Sequence, residues 1–130
     1  MDEVWNKKGF EKVEKYVHHK YTVHLDTADP WEGKTLNHDE FKTRLKFSFD
    51  SFPDMNFEIT SAIEEENHVV ITWILTGTNL GNIGEFPPTK KSIKTNGVTI
   101  YHFKENLICG HTQVFDRVTV MRQLGFLSNN

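Results

Sequence analysis

Val98-Thr-Ile-Tyr-His-Phe-Lys-Glu-Asn-Leu-Ile-Cys-Gly-His-Thr-Gln-Val-Phe-Asp116-Arg-Val-Thr-Val-Met-Arg-Gln-Leu-Gly125 is the stretch that decides the fold. It reads as two β-branched and aromatic runs joined by a polar turn at Lys104-Glu105-Asn106, and the second run ends on a carboxylate. β-branched and aromatic side chains suit a pleated, half-buried surface, whereas Asp desolvates poorly and favours caps and turns. Asp116 directly follows Val114-Phe115 and precedes Arg117. At the end of a buried strand such a carboxylate requires a partner or a chemical purpose. Two readings are open: Asp116 caps the short segment Arg117–Leu124 by accepting from its first free N–H groups, or it is a catalytic carboxylate.

Upstream of this stretch the strand-like period continues. Val69–Thr78 alternates, with Val69, Ile71, Trp73 and Leu75 on one face, and Asn56–Ile63 is a further strand across the polar turn Glu64–His68. Gly81 to Thr89, with Gly84, Pro87 and Pro88, reads as a mobile connection that cannot be strand interior. Earlier still the period becomes helical. Asn37-His-Asp-Glu40 has the form of a capping box, and it opens a helix whose Phe41, Leu45, Phe49 and Phe52 share a face before Pro53 stops it. Asp26 to Lys34 is loop and Tyr21–Leu25 a brief extended segment. Phe10, Val13 and Val17 predict a short helix to about His18, and Trp5–Gly9 the end of a preceding one with Gly9 as terminator. Helices followed by hairpin-linked strands describe one α+β domain over residues 1–130.

Composition narrows the function classes. Fifteen basic against eighteen acidic side chains give a formal charge of −3 with no basic stripe, so nucleic acid is not an expected partner. No apolar run reaches membrane-spanning length and the start lacks a signal-peptide pattern. The single cysteine, Cys109, reads as a small buried filler and fits a reducing compartment, so a cytoplasmic location is expected. His18-His19 with His24 lack a carboxylate or thiol at ligand spacing, which leaves no expected metal. His18-His19 reads instead as a solvated helix end, and no G-x-S-x-G supports a serine hydrolase.

Trp5-Asn-Lys7 before Gly9, Ser51-Phe-Pro-Asp-Met55, Leu75-Thr-Gly-Thr78, Gly84-Glu-Phe-Pro-Pro-Thr89, Gly97-Val-Thr-Ile-Tyr101 and Val114-Phe-Asp116 with Gln123-Leu-Gly125 occur in this order. Together they resemble the SnoaL-like polyketide cyclase, or ester cyclase, family of the nuclear-transport-factor-2-like superfamily. The resemblance implies a cone-shaped, curved antiparallel sheet packed on N-terminal helices around an apolar pocket. It implies a general base at Asp116, with His102 on the preceding strand beside it. An apolar wall raises a carboxylate's pKa and a neighbouring imidazole can donate to a developing enolate oxygen. Thr112 stands where members commonly carry Trp, which implies a roomier or more polar pocket.

From parity and resemblance, His24, Tyr21, Phe41, Leu45, Trp73, Ile100, Thr112 and Val114 are expected to line the pocket for a small hydrophobic molecule. Tyr101, Phe103, Gln113 and Phe115 are expected on the outer face, where they would pair two copies into a homodimer. The expected activity is cofactor-free acid–base chemistry, aldol-type cyclisation or isomerisation of a hydrophobic carbonyl compound. The alternatives are a binding module without turnover and an epoxide hydrolase-like use of an Asp-Arg-Asp set, for which Arg117 is poorly directed.

Overall fold

The structure, a computed structural model, describes residues 10–126, so the expected helix end at Trp5–Gly9 lies outside the described residues. A 3-10 turn, Phe10–Lys12, leads into a single-turn helix, α1 (Val13–Tyr16), and then directly into strand β1 (Val17–Asp26). The helix therefore stops before the expected His18. Val17 is extended and fully buried, and its pairing opposite Ile108 overrides the helical spacing of Phe10, Val13 and Val17. β1 absorbs the brief segment Tyr21–Leu25 and extends it at both ends.

After a loop and the two-residue strand β2 (Thr35–Leu36) comes helix α2 (His38–Ser51). Its capping box forms as the sequence predicts. Asn37 Oδ1 accepts from the Glu40 N–H at 2.8 Å, and Glu40 Oε1 accepts from the Asn37 N–H at 3.0 Å. Phe41, Leu45 and Phe49 form its buried stripe and meet Tyr21, Val23 and Leu36 in the core. Each such side chain stabilises the fold by about 1.5–3 kcal/mol through the apolar surface it removes from water.

The remaining strands are β3 (Asn56–Glu65), β4 (His68–Thr78), β5 (Ser92–Lys104) and β6 (Leu107–Phe115), and helix α3 (Arg117–Gln123) follows. One six-stranded sheet runs in the order β2-β1-β6-β5-β4-β3. All neighbours are antiparallel except β1 and β6, which are parallel. The β5–β6 hairpin closes on two residues, not three. Glu105 and Asn106 take consecutive positive φ values of 57° and 66°, the twist-matched form of a tight hairpin. Register shifts in β1, between Ile59 and Ser61, and between His102 and Phe103 bend the sheet.

The connection from Thr78 to Ser92 is pinned rather than loose. Asn79 is fully buried, its amide donates to Ser51 O and Gly81 O, and its oxygen accepts from the Thr89 N–H and hydroxyl.

The face assignment of β5 and β6 is the reverse of the one expected. Tyr101 and Phe103 pack against the core beneath α2, and Phe115 packs on Trp73. Ile100, Thr112 and Val114 therefore point outward with Val98, and Val114 is 58% exposed. Both faces of these strands carry bulky residues, so alternation gave the parity without saying which set the helices cover.

Candidate functional site

Beneath α2 the sheet carries a buried polar hub centred on Asp26, the last residue of β1. Asp26 is 1% exposed. Its Oδ2 accepts from Arg44 Nη2 at 3.1 Å, His111 Nε2 at 2.9 Å and Gln113 Nε2 at 3.2 Å, and its Oδ1 accepts from Arg117 Nη2 at 2.6 Å. Arg44 also donates to Asp29 at 3.0 Å, so it bridges two carboxylates.

The sequence positions these groups by simple means. Arg44 sits on the buried stripe of α2 between Phe41 and Leu45, while His111 and Gln113 alternate on the helix-facing side of β6. Arg117 opens α3 and stacks over the Phe115 ring at 4.2 Å on its way to Asp26.

The donors fix the protonation pattern. An ionised carboxylate only accepts, so His111 carries its proton on Nε2 and leaves Nδ1 as the basic nitrogen. Tyr21 hydrogen-bonds that Nδ1 with its hydroxyl, which completes a Tyr21–His111–Asp26 relay. A second chain runs from Trp73 Nε1–H to Thr99 Oγ1 at 2.8 Å, from the Thr99 hydroxyl to Gln113 Oε1 at 2.7 Å, and from Gln113 to Asp26. Both chains converge on one carboxylate.

Burial acts to raise the Asp26 pKa, yet the His111 hydrogen bond and the Arg44 and Arg117 charges outweigh it and hold the group below the usual carboxylate value. Burial lowers the His111 pKa, against the opposing pull of Asp26, and keeps the imidazole neutral. Burial likewise lifts the Tyr21 hydroxyl well above its ordinary value.

Beside the hub, β3 to β6 present an aromatic wall on the same face. Phe57 meets Trp73 edge-on at 5.1 Å, and Trp73 meets Phe115 at 5.7 Å. Gly97, between Trp73 and Phe115 in register, has no side chain. A Cβ there would lie 2.5 Å from Trp73 Cζ2 and 2.6 Å from Phe115 Cβ, so the glycine gives the indole its place.

Of the expected pocket residues, Tyr21, Phe41, Leu45 and Trp73 are on this helix-facing side. His24, Ile100, Thr112 and Val114 are not; they stand on the outer face with His102. Asp116 and His102 are not neighbours. His102 pairs opposite Gly110, whereas Asp116 follows the Phe115–Gly97 pair and its N–H donates to Asn96 O, and six strand positions lead from Asn96 to His102, roughly 20 Å.

Asp116 is exposed and caps α3. Its Oδ1 accepts from the Thr119 N–H at 2.9 Å and its Oδ2 accepts from the Thr119 hydroxyl. Those two bonds, hydroxyl first, hold its pKa below the usual value. His18 is buried at the start of β1, not solvated at a helix end, and Cys109 is half-buried. Among the described residues no cluster of His, Cys, Asp and Glu is arranged to hold a metal ion.

The sequence reading missed Asp26, Arg44, His111, Gln113 and the inward reach of Arg117. One signal was available: a charged residue, Arg44, on the apolar stripe of an amphipathic helix demands a buried carboxylate.

The family model for SnoaL-like polyketide cyclases matches residues 1–124. Among solved structures, the chain is similar to a protein from Acidithiobacillus ferrooxidans provisionally assigned as a polyketide cyclase. Identity is 40%, the match covers 98% of this chain and 89% of that one, and the TM-score is 0.89. TsrD from Streptomyces laurentii shares the fold at 15% identity, covering 96% and 89% of the two chains with a TM-score of 0.81. A SnoaL-like polyketide cyclase from Agrobacterium tumefaciens does so at 19% identity, covering 93% and 89% with a TM-score of 0.75. No curated protein matches the chain.

Proposed function

Since the chain belongs to the SnoaL-like polyketide cyclase family, we propose that it binds a small hydrophobic carbonyl compound against the wall of Phe57, Trp73 and Phe115 and acts on it as a cofactor-free acid–base enzyme. The chemistry is aldol-type cyclisation or isomerisation, with His111 taking the proton. The observation that carries this reading is the Tyr21–His111–Asp26 relay.

A neutral imidazole whose Nε2–H is fixed on an ionised carboxylate has a basic Nδ1, and the same carboxylate stabilises the imidazolium once it forms. Tyr21 and His111 are 1% and 2% exposed, so the substrate has to enter past Tyr101 and Gln113; a carbon acid between two carbonyls then gives its proton to the Tyr21 oxygen while the Tyr21 proton passes to His111 Nδ1. The substrate is left as an enolate. In a cyclase the enolate carbon attacks an internal carbonyl; in an isomerase the proton returns at another carbon. Half-buried Tyr101 and Gln113 border the relay on the side of the aromatic wall.

Asp26 orients and does not act as the base, because donors occupy both of its oxygens. The same saturation weighs against using Asp26–Arg44–Asp29 to activate water for epoxide opening. Asp116 and His102, expected as base and partner, have no part in this assignment: one caps α3 and the other faces outward.

A second reading, binding without turnover, is favoured by that capping role, since both Asp116 oxygens are committed to Thr119. Deuterium uptake from heavy water into the central methylene of an aromatic 1,3-dicarbonyl ester separates the two. Uptake faster than in buffer, and lost in His111→Gln, supports the enzyme. A ligand-induced rise in Tm with uptake at the buffer rate supports the binder. Neither effect overturns both.

The homodimer belongs to this reading with its face corrected: the outer side of the sheet, not the side carrying Tyr101 and Phe115, is the one open to a second copy. The single cysteine suits the reducing cytoplasm, and no helix among the described residues is long and apolar enough to cross a membrane.

A further inference from the structure

The outer face of the sheet carries a row of imidazoles that the hub does not use. His68 and His102 are paired across β4 and β5 with ring centroids 4.8 Å apart. The ring of His24, on β1, lies 4.7 Å from that of His102. Strand β6 runs between β1 and β5, so His24 reaches His102 only by crossing a strand. It crosses at Gly110, where a Cβ would lie 2.9 Å from His24 Nε2. A side chain on Gly110 would push His24 off the row.

The groups around His102 come from every neighbouring strand. His24 faces it from β1, His68 from β4, and the Thr112 hydroxyl from β6 at 3.4 Å. Glu65 and Glu66, in the β3–β4 turn region, border the same recess, and His111 acts through the sheet from the other face. Burial comes first and the neighbouring imidazoles second in holding His102 below the ordinary histidine value.

Beyond the row, the middle of this face is uncharged. Val70, Thr72, Ile74, Val98, Ile100 and Val114 occupy it, with Val98 36% exposed. A two-fold contact sets each patch against its own equivalent, so like charges close to the axis would face one another; the middle of this face carries none. A second copy of this chain meets no such repulsion there.

We propose that the His24–His102–His68 row is a proton-operated switch on self-association through the outer sheet face. Neutral, the clustered rings extend the uncharged surface on which the second copy docks. Protonated, they place like charges side by side within each copy and across the contact, and the copies separate. This rests on the homodimer reading above.

Light scattering and circular dichroism of the full chain at about pH 7.5 and about pH 5.5 test it, because ordinary histidines change charge across that interval. The expected result is a dimer at the higher pH and a dissociation constant at least roughly tenfold weaker at the lower, with the chain still folded. The double variant His24→Gln with His68→Gln should keep most of its dimer at the lower pH. A wild-type dimer of equal strength at both values overturns the switch alone. Monomer at both values overturns the homodimer reading and the switch with it. Dissociation that merely accompanies unfolding, or a double variant as pH-sensitive as the wild type, also overturns the switch. Should the double variant fail to fold, the wild-type comparison still decides.

Discussion

Arg117 Nη2 donates to Asp26 Oδ1 at 2.6 Å, tying the first residue of α3 to the last residue of β1 across 91 positions of sequence. Asp116, one residue earlier, turns the other way and caps the same helix. Two adjacent charged residues thus divide the work: one closes the helix end, and the other docks the helix on the hub.

That division predicts the hub's weight in stability. Asp26→Ala leaves Arg44, 6% exposed, with Asp29 as its remaining carboxylate, and takes away the acceptor of His111 and Gln113. Breaking a buried pair by removing one partner costs about 3–5 kcal/mol. Urea unfolding should register a loss of that order. A loss near zero would mean that the hub is solvated in solution.

How far the sequence was legible follows the range of the interactions. Helix α2 could be read because its cap, Asn37 with Glu40, and its stripe, Phe41, Leu45 and Phe49, are local signals. The hairpins could be read because β4 and β5 alternate cleanly. The hub could not, because Asp26 looks like the start of a loop until Arg44, His111, Gln113 and Arg117 are brought to it from 18, 85, 87 and 91 residues away. The same distance effect misled the face assignment. Gln113 is expected on the outer face with Tyr101, Phe103 and Phe115, yet it points inward with His111, where a buried carboxylate accepts from both. The resemblance located the family over nearly the whole chain, but it carried the base and its partner to Asp116 and His102, which the fold holds six strand positions, roughly 20 Å, apart.

A pH dependence follows from His111. Its folded pKa lies below the ordinary 6.5. Above about pH 6.5 the imidazole is neutral in both folded and unfolded chains, and its contribution is fully present. As the pH falls further, the unfolded chain takes up the proton first, so stability drops. His102 acts in the same direction, whereas Asp26 keeps its contribution until the pH falls below the ordinary 3.8. Tm should therefore be flat above neutrality and decline from about pH 6.5 downward. In His111→Gln the decline should be shallower on a lower baseline. An unchanged slope in that variant would show that His111 is not the titrating group.

Asp116 tests the difference between a cap and a base. Asp116→Asn keeps an oxygen to accept from the Thr119 N–H, so it should be nearly silent in Tm. Asp116→Ala removes the cap and should lower Tm by about 3–5 °C. Neither change should abolish turnover if the proton passes through His111. Collapse of activity in the Asn variant at unchanged Tm would make Asp116 the base and leave His111 a buried structural histidine.

Gly97→Ala probes the aromatic wall without touching the hub's charges. The new methyl would come within 2.5 Å of Trp73 Cζ2 on one side and 2.6 Å of Phe115 Cβ on the other, well inside contact distance. Gly97 is held in register by both neighbours, so the backbone cannot easily give way. The indole is therefore the group expected to move, and moving it breaks the Trp73–Thr99 hydrogen bond, the far end of the donor chain leading through Gln113 to Asp26. Overpacking of this kind costs about 1–3 kcal/mol. Tryptophan emission should shift to the red as Trp73, buried in the parent chain, gains contact with water. Binding of a hydrophobic fluorescent dye should weaken together with the emission change if Trp73 forms the ligand wall. Weakened stability with unaltered dye binding would place the ligand elsewhere, and the wall of Phe57, Trp73 and Phe115 would then be core packing alone.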